Sequence, residues 1–246
     1  MSMNQLEQLK RIRNSLTRFM MMYKFALQEV ETKIDILQEE FQFLHDYNPI
    51  EHTKSRIKTP ESIMKKLYRK GGVGSLEEIR EHIKDIAGIR ITCSFVSDIY
   101  YISRMLQNQN DLQVVSIKDY IKNPKPNGYK SLHLLVKVPV FMSDRQESVY
   151  VEVQIRTIAM DFWASLEHKI FYKFNGTVPQ RFLNELKEAA DSANELDEKM
   201  ERLHSEISQI KTDQSSNQGL DSALFGGNVK LPIPNQLLSL LSEEEK

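Results

Sequence analysis

Four segments in the middle of the chain combine high β-propensity with partial alternation of apolar and polar residues. They are "AGIRITCSF", "LQVVSIKDYI", "SLHLLVKVPVF" and "SVYVEVQIRT", all rich in Val, Ile or Tyr. One helix is predicted between the first two segments, over about 97–109, and another over "AMDFWASLEHKIFYK" after the fourth. The later connections are too short for crossover helices, so the sequence predicts an α/β domain with a mixed rather than a purely parallel sheet.

Helical segments precede this domain. Residues 4–47 contain no glycine or proline, and apolar residues recur there at alternating spacings of four and three. This pattern predicts one long helix, or two joined by a small break, ended by Pro49. Short helices are expected from "TPES" to Arg69 and over "SLEEIREHIKD", where Ser75 and Glu78 form a capping-box pattern.

A second apolar stripe with the same spacing lies near the C-terminal end. It consists of Leu186, Ala189, Ala193, Leu196, Met200, Leu203, Ile207 and Ile210. A stripe this regular usually packs against another helix, in the same chain or in a partner. From Thr212 the composition turns to Ser, Gln, Asn, Gly and Pro, which predicts a flexible tail, although "NQLLSLL" could form a short docking turn. The predicted organisation is an N-terminal helical region (1–50), an α/β core (51–175), a C-terminal helical oligomerisation region (176–211) and a flexible tail (212–246).

Composition limits the classes of function. A net charge of −1 with 40% hydrophobic residues indicates a globular protein without a global attraction to nucleic acid or membranes. The start lacks the apolar core of a signal peptide, and no stretch approaches the roughly 20 apolar residues of a membrane span, so a cytoplasmic protein is expected. Cys93 is the one cysteine and lies in an apolar run, which predicts a buried, inert thiol.

The densest local charge lies in "HTKSRIKTPESIMKKLYRK". Lys66 and Arg69 are three residues apart on a predicted helix and therefore share a face. Arg56 and Lys58 point the same way if their segment is extended. Converging cations of this kind suit a triphosphate, although a solvated basic helix face would give the same pattern.

Two carboxylates lie on or beside predicted strands. Asp85 precedes "AGIRI", and Glu152 lies between valines on the polar side of "VYVEVQIRT". A buried glutamate without a partner is costly, so Glu152 is expected to reach solvent, pair with a cation or bind a metal ion. Together the two carboxylates could form a Mg²⁺ site for nucleotide transfer, the alternative being two unrelated surface groups.

The loop "NPKPNGYKSLH", residues 123–133, combines stiffness with a flat aromatic ring. Its two prolines restrict the backbone, and Gly128 permits a tight turn. Such a turn could hold Tyr129 as a platform for a nucleotide base, with Lys125 and Lys130 beside it for phosphates. An ordinary hairpin loop with a solvated tyrosine is the alternative.

Six motifs occur in the order found in the RelA/SpoT-type alarmone synthetases: "RIK", "KKLYRK", "DIAGIR", "NGYKSLH", "EVQIRT" and "ASLEHK". Over about residues 45–210 the chain most resembles the small, synthetase-only members. The resemblance implies a nucleotidyltransferase-like fold whose core is a (p)ppGpp synthetase of the stringent response. Such an enzyme, a GTP diphosphokinase, transfers pyrophosphate from ATP to the 3′-hydroxyl of GDP or GTP and releases AMP. Mg²⁺ as cofactor and a homo-oligomer, commonly a tetramer, are also implied.

The resemblance further implies roles for individual residues. The adenine of ATP would lie between Arg56 and Arg90, and the groups holding its phosphates would be Lys58, Lys66 and Arg69. Asp85 and Glu152 would bind Mg²⁺, and Glu152 would also activate the 3′-hydroxyl as general base. Tyr129 would stack on guanine. The other residues implied on the acceptor side are Lys118, Lys125, Asn127, His133, Gln154 and Ala164.

Some positions depart from the family pattern. Ser116 stands where larger members often carry the arginine of Arg-x-Lys-Asp, which leaves the preference between GDP and GTP open. Lys130 stands where arginine is common, which keeps the charge but not a bidentate fork. The pair His45-Asp46 resembles one in the family's hydrolase domain but stands alone, so no alarmone hydrolysis is expected.

Two other functions stay open at this point. A toxin-like relative would pyrophosphorylate the 3′ end of tRNA and would need an extended basic surface, whereas the cations here concentrate around one nucleotide site. RNA contact is therefore possible but not indicated. A non-catalytic nucleotide sensor would be expected to lose Asp85 or Glu152 first, and both are present.

Overall fold

A computed structural model of the chain describes residues 3–45, 47–171 and 178–215. In these ranges the helices are α1 (Met3–Leu44), α2 (Pro60–Arg69), α3 (Leu76–His82), α4 (Val96–Gln107), α5 (Ile158–Phe171) and α6 (Gln180–Ser215). The strands are β1 (Ile50–Ile57), β2 (Ala87–Cys93), β3 (Gln113–Asp119), β4 (Leu132–Phe141) and β5 (Gln146–Thr157). None of the helices in the described ranges is long and apolar enough to cross a membrane.

The strands form one sheet in the order β1-β2-β5-β4-β3. β2 and β5 run parallel, whereas the other neighbouring pairs are antiparallel. The mixed sheet flanked by helices, predicted from the short later connections, is therefore confirmed.

Alternation along the strands gives the sheet an apolar face and a polar face. On β4 and β5 every second residue is buried, as expected for strands covered on one side. Helix α1 contacts β2, β4 and β5, and its Val30 and Ile34 belong to the same buried cluster as Leu134 and Val153. Fully burying one such aliphatic side chain contributes roughly 1.5–3 kcal/mol.

Helix α1 is one unbroken helix of 42 residues rather than two. Its apolar stripe is buried from Phe19 to Phe41, whereas Leu44 is exposed. The helix ends at Leu44, before the predicted stop at Pro49, and Asp46 lies outside the described residues.

The predicted helix starts are confirmed at α2 and α3. Thr59 Oγ1 accepts a hydrogen bond from the Ser62 amide at 3.3 Å. Ser75 Oγ accepts from the Glu78 amide at 3.1 Å, and Glu78 Oε2 accepts from the Ser75 amide at 3.2 Å. Both caps satisfy amides that a helix leaves without an internal partner.

Strand β1 was not predicted from sequence. It lies at the edge of the sheet, and most of its residues are exposed. "IEHTKSRI" is therefore polar and lacks the apolar alternation by which the other four strands were recognised.

Helix α6 is longer than predicted, and only part of its apolar stripe faces the chain's own core. It continues to Ser215, past the expected boundary at Thr212, and residues 216–246, including "NQLLSLL", lie outside the described part. The side facing the chain's own core carries Ala190 and Asp197. The C-terminal part of the predicted stripe points away from that core, and its residues are between 41% and 55% exposed: Leu196, Met200, Leu203, Ile207 and Ile210.

Candidate active site

The register of the sheet aligns the predicted site residues in two rows on its polar face. Directly paired residues in neighbouring strands point to the same side. One row consists of Arg56, Gly88, Glu152, Leu135 and Ser116, and the next of Lys54, Arg90, Gln154, His133 and Lys118. Residues far apart in sequence thus lie across five strands on one surface.

Two adjoining clefts open on this surface. The larger, of about 320 Å³, is lined by groups that include Lys66, Asp85, Lys118, Lys125 and His133. The smaller, of about 170 Å³, is lined by groups that include Arg56, Gly88, Arg90 and Gln154. Glu152 lines both clefts and marks the place where they meet.

A larger cavity of about 530 Å³ lies elsewhere, between α1 and the turn that joins β4 to β5. Its lining contains neither Asp85 nor Glu152, and the cation cluster does not reach it. Convergent polar groups and perturbed carboxylates indicate a functional site better than volume does, so the paired clefts are the candidate.

Asp85 is held by two lysines. Lys58 Nζ and Lys66 Nζ lie 2.7 Å and 2.6 Å from the same oxygen, Oδ2. Burial would raise the pKa of Asp85, but the hydrogen bonds and charges of the two lysines outweigh it and lower the pKa to about 2. The other oxygen, Oδ1, is buried and has no hydrogen-bond partner among the described residues.

Glu152 is hydrogen-bonded rather than paired with a lysine. Gln154 Nε2 donates to Glu152 Oε2 at 2.8 Å, and His133 Nδ1 lies 3.4 Å from Oε1. Burial would raise the pKa of Glu152, but His133 and Gln154 lower it below its usual value. The glutamate in the middle of β5 is therefore ionised at neutral pH.

The predicted arginine pair lies on the smaller cleft. Arg56 is exposed, and the half-buried Arg90 forms an ion pair with Asp161, with 2.8 Å between Nη1 and Oδ1. Gly88 pairs with Arg56 in the register and lies two residues before Arg90 on β2, so the position next to both arginines has no side chain. This arrangement leaves room for a flat group between two guanidinium groups.

Tyr129 is anchored, not solvated. Its hydroxyl accepts from Arg156 Nη2 at 2.6 Å and lies 2.8 Å from His133 Nε2. Lys125 Nζ lies 4.5 Å from the centre of its ring, and the ring packs against Trp163 and Ala190. The alternative of an ordinary loop with a solvated tyrosine does not fit these contacts.

Five predicted site residues do not line either cleft: Lys58, Arg69, Asn127, Tyr129 and Ala164. Lys58 contacts Asp85 and Tyr129 contacts His133, both of which line the larger cleft. Arg69 lies in the last turn of α2, and the neighbouring Lys70 lines the larger cleft instead. Asn127 Nδ2 donates to Glu167 Oε1 at 3.3 Å. Ala164 is buried in the small cluster against which Tyr129 packs.

Sequence reasoning missed several residues of the site. Tyr120 lines the larger cleft, where its ring contacts those of Tyr129 and His133. Asp161 Oδ1 forms ion pairs with both Arg90 and Arg156. The alternation in β5 predicts Glu152 and Arg156 on the same, polar face of the sheet. Alternation alone, however, does not show that Arg156 is buried.

The carboxylates fit a hard divalent cation. No group of three or more His, Cys, Asp or Glu side chains in the described ranges is arranged to hold a metal ion. Mg²⁺, however, is commonly bound by one or two carboxylates together with water and substrate phosphates. Asp85 Oδ1, buried without a partner, and the ionised Glu152 are suitable oxygen ligands.

Comparison with known proteins agrees with this geometry and with the six motifs. Residues 55–177 match the family model described as "Region found in RelA / SpoT proteins". GTP pyrophosphokinase YwaC of Bacillus subtilis is 52% identical over 207 residues, 84% of this chain and 99% of that protein. Among solved structures, small alarmone synthetase 2 from B. subtilis has a TM-score of 0.71 and 53% identity, and covers 78% of this chain and 98% of its own. Small alarmone synthetase 1 from the same organism, bound to its product pppGpp, has a TM-score of 0.73 and 38% identity with the same coverage of 78% and 98%. The chain therefore belongs to the RelA/SpoT family.

Proposed function

We propose that the protein is a (p)ppGpp synthetase that transfers pyrophosphate from ATP to the 3′-hydroxyl of GDP or GTP and releases AMP. The observation that carries this proposal is the pair of clefts that meet at Glu152, one bearing two arginines and the other lysines and aromatic rings. Donor and acceptor nucleotides in the two clefts would have their reacting groups next to one carboxylate. Transfer of phosphoryl-type groups depends mainly on such positioning and on charge stabilisation.

On the donor side, Arg56 and Arg90 bind the adenine between their guanidinium planes. Lys58 and Lys66, which now neutralise Asp85, turn to the incoming phosphates. Asp85 and Glu152 would hold Mg²⁺, which would supply charge neutralisation for the phosphate oxygens. Arg69 lines neither cleft, whereas the neighbouring Lys70 lines the larger one, so Lys70 is the better-placed cation.

On the acceptor side, Tyr129 and the lysines Lys118 and Lys125 bind the guanine nucleotide. Glu152 takes the proton of the 3′-hydroxyl, and the oxygen attacks the β-phosphorus of ATP. The bond from the β-phosphorus to the oxygen that bridges it to the α-phosphate breaks, and AMP leaves with that oxygen. His133 and Gln154 keep the carboxylate of Glu152 ionised before the transfer.

The test is a product assay. Purified protein, Mg²⁺ and ATP are incubated with GDP, GTP or uncharged tRNA, and the products are separated by anion-exchange chromatography. Tetra- or pentaphosphate with stoichiometric AMP is expected, and the two guanine nucleotides are ranked in the same assay. AMP release with tRNA alone would support the toxin-like function, and ATP binding without AMP formation would support a sensor.

Glu152→Gln is the variant that tests the base. It is expected to bind both nucleotides while synthesis is lost, because the amide cannot accept the proton. Asp144→Asn is a matched control, since this exposed carboxylate lies in the turn between β4 and β5. Near wild-type turnover in Glu152→Gln would contradict the assignment.

We further propose that the protein is a homo-oligomer, with the tetramer of the small synthetases as the expected form. Support comes from the apolar side chains that α6 leaves exposed, together with exposed Leu9, Ile12 and Met21 on α1. A row of exposed apolar side chains along one helix, as on α6, is typical of protein interfaces.

A further inference from the structure

Arg156 is a buried arginine on β5, two residues beyond Gln154 of the smaller cleft. It is 4% exposed, and Asp161 Oδ1 lies 3.2 Å from its Nη1. The same carboxylate oxygen lies 2.8 Å from Arg90 Nη1. A buried charge is tolerated when it is paired and hydrogen-bonded, and Arg156 meets both conditions. One carboxylate therefore links Arg90, which lines the smaller cleft, to Arg156, which lines neither cleft.

A single nitrogen of Arg156 holds two side chains that the family resemblance assigns to the acceptor nucleotide. Nη2 donates to Tyr129 Oη at 2.6 Å and to Gln154 Oε1 at 2.8 Å. Its guanidinium carbon lies 5.0 Å from the centre of the Tyr129 ring. The planar fork of arginine makes these contacts while the other Nη faces Asp161, which a lysine ammonium cannot reproduce.

Hydrogen-bond direction makes Arg156 the origin of two routes to Glu152. The guanidinium only donates, so the oxygen of the Gln154 amide must face Arg156 and its NH₂ must face Glu152. By the same reasoning Tyr129 accepts from Arg156; its hydroxyl also lies 2.8 Å from His133 Nε2, and His133 Nδ1 lies 3.4 Å from Glu152 Oε1. Removing Arg156 would leave both the amide and the phenol free to reorient.

We propose that Arg156 is a positioning residue that fixes Tyr129 and Gln154 in the orientation that binds the acceptor nucleotide. Arg156 faces no substrate itself, because it is buried behind these two side chains. The inference rests on the proposed function. It assigns Arg156 a role that follows neither from the shape of the clefts nor from the cation cluster.

The first experiment measures KM for each substrate and kcat in Arg156→Gln and Arg156→Lys. The acceptor KM is expected to rise about ten- to one-hundredfold, the range for a lost hydrogen bond to a charged group. The ATP KM should change less than about twofold, since Asp161 stays available to Arg90. Arg156→Lys keeps the buried charge but loses the planar guanidinium. It therefore tests the need for the guanidinium even if Arg156→Gln fails to fold. Arg145→Gln, which removes a half-exposed arginine in the turn between β4 and β5, is the control.

A double-mutant cycle with Tyr129→Phe separates positioning from general support of the fold. This variant keeps the ring and removes only the hydroxyl that Arg156 holds. If Arg156 acts through that bond, the double variant Arg156→Lys/Tyr129→Phe has an acceptor KM close to that of Arg156→Lys alone. Additive losses, an unchanged acceptor KM, or an equal rise in both KM values would overturn the inference.

The affinity for GDP, measured by calorimetry without ATP, distinguishes a failure of the proposed synthetase activity from a failure of the positioning role of Arg156. If the wild-type protein binds GDP but forms no product, the proposed function fails while GDP affinity still tests Arg156. If product forms and both Arg156 variants bind GDP as tightly as wild type, only the positioning role fails.

Discussion

At the scale of single residues, two glycines with nearly equal φ angles have different surroundings. Gly128, before the Tyr129 platform, has φ +86°, and a Cβ built there would lie 2.5 Å from Ala190 Cβ on α6. Gly71, after α2, has φ +84°, and a Cβ there would meet nothing within 4 Å. Both positions disfavour other residues, but only Gly128 is also in close contact with a neighbouring helix.

Gly128→Ala is expected to destabilise the protein more than Gly71→Ala. The left-handed conformation costs either alanine about 1–2 kcal/mol, and Gly128→Ala also forces the loop away from α6. Urea unfolding and the acceptor KM are the measurements. Gly71→Ala serves as the control for φ alone, so equal effects of the two substitutions would contradict the packing argument.

Much of the site could be predicted at this scale, and the omissions have a physical reason. Strand alternation placed Glu152 on the polar face, and the resemblance identified the arginine pair and Tyr129. Tyr129 contacts Arg156 and Ala190, and these residues come together only when the chain folds. Sequence patterns report local periodicity and contain no information on such tertiary contacts.

At the scale of elements, α6 docks onto the core with polar groups. Thr157 Oγ1 donates to Asp197 Oδ2 at 2.6 Å, and the Ser97 amide donates to Glu201 Oε1 at 3.0 Å. Lys130, in the loop that carries Tyr129, donates to Asn194. The apolar stripe was visible in the sequence, but it did not show which side of α6 packs on the core. Buried hydrogen bonds can also hold a helix in place, and a sequence pattern does not reveal them.

Burial raises the pKa of Asp197 to about 6, even though Thr157 donates to it. A carboxyl whose pKa is raised by folding opposes folding once it ionises, so its penalty grows from about pH 4 to about pH 6 and is constant above. Asp197→Asn should therefore gain stability relative to wild type as pH rises from 4 to 7, by at most about 3 kcal/mol. Urea unfolding followed by circular dichroism measures this. Asp191→Asn, an exposed position on α6, is the control, and a difference independent of pH would contradict the expectation.

At the scale of the whole molecule, the apolar residues exposed on α6 predict an interface between copies of the chain. Leu203→Glu/Ile207→Glu is expected to reduce the mass measured by light scattering, because charges in a buried interface are costly. Arg202→Glu, on an exposed part of α6 outside the stripe, is the control. An unchanged mass in the stripe variant, with folding verified by circular dichroism, would exclude this face from the interface.

The fold class was predictable because four strands and the helices have clear periodicity, whereas the exposed edge strand β1 does not. The single parallel pair among the described strands has a consequence for the order of folding. Ala87 of β2 pairs with Val151 of β5, so β3 and β4 are synthesised before that ladder can close. Closing so distant a contact is entropically costly and slow. Asp85 and Arg90 are synthesised well before Glu152 and Gln154. A nascent chain therefore gains the paired clefts only when β5 inserts between β2 and β4.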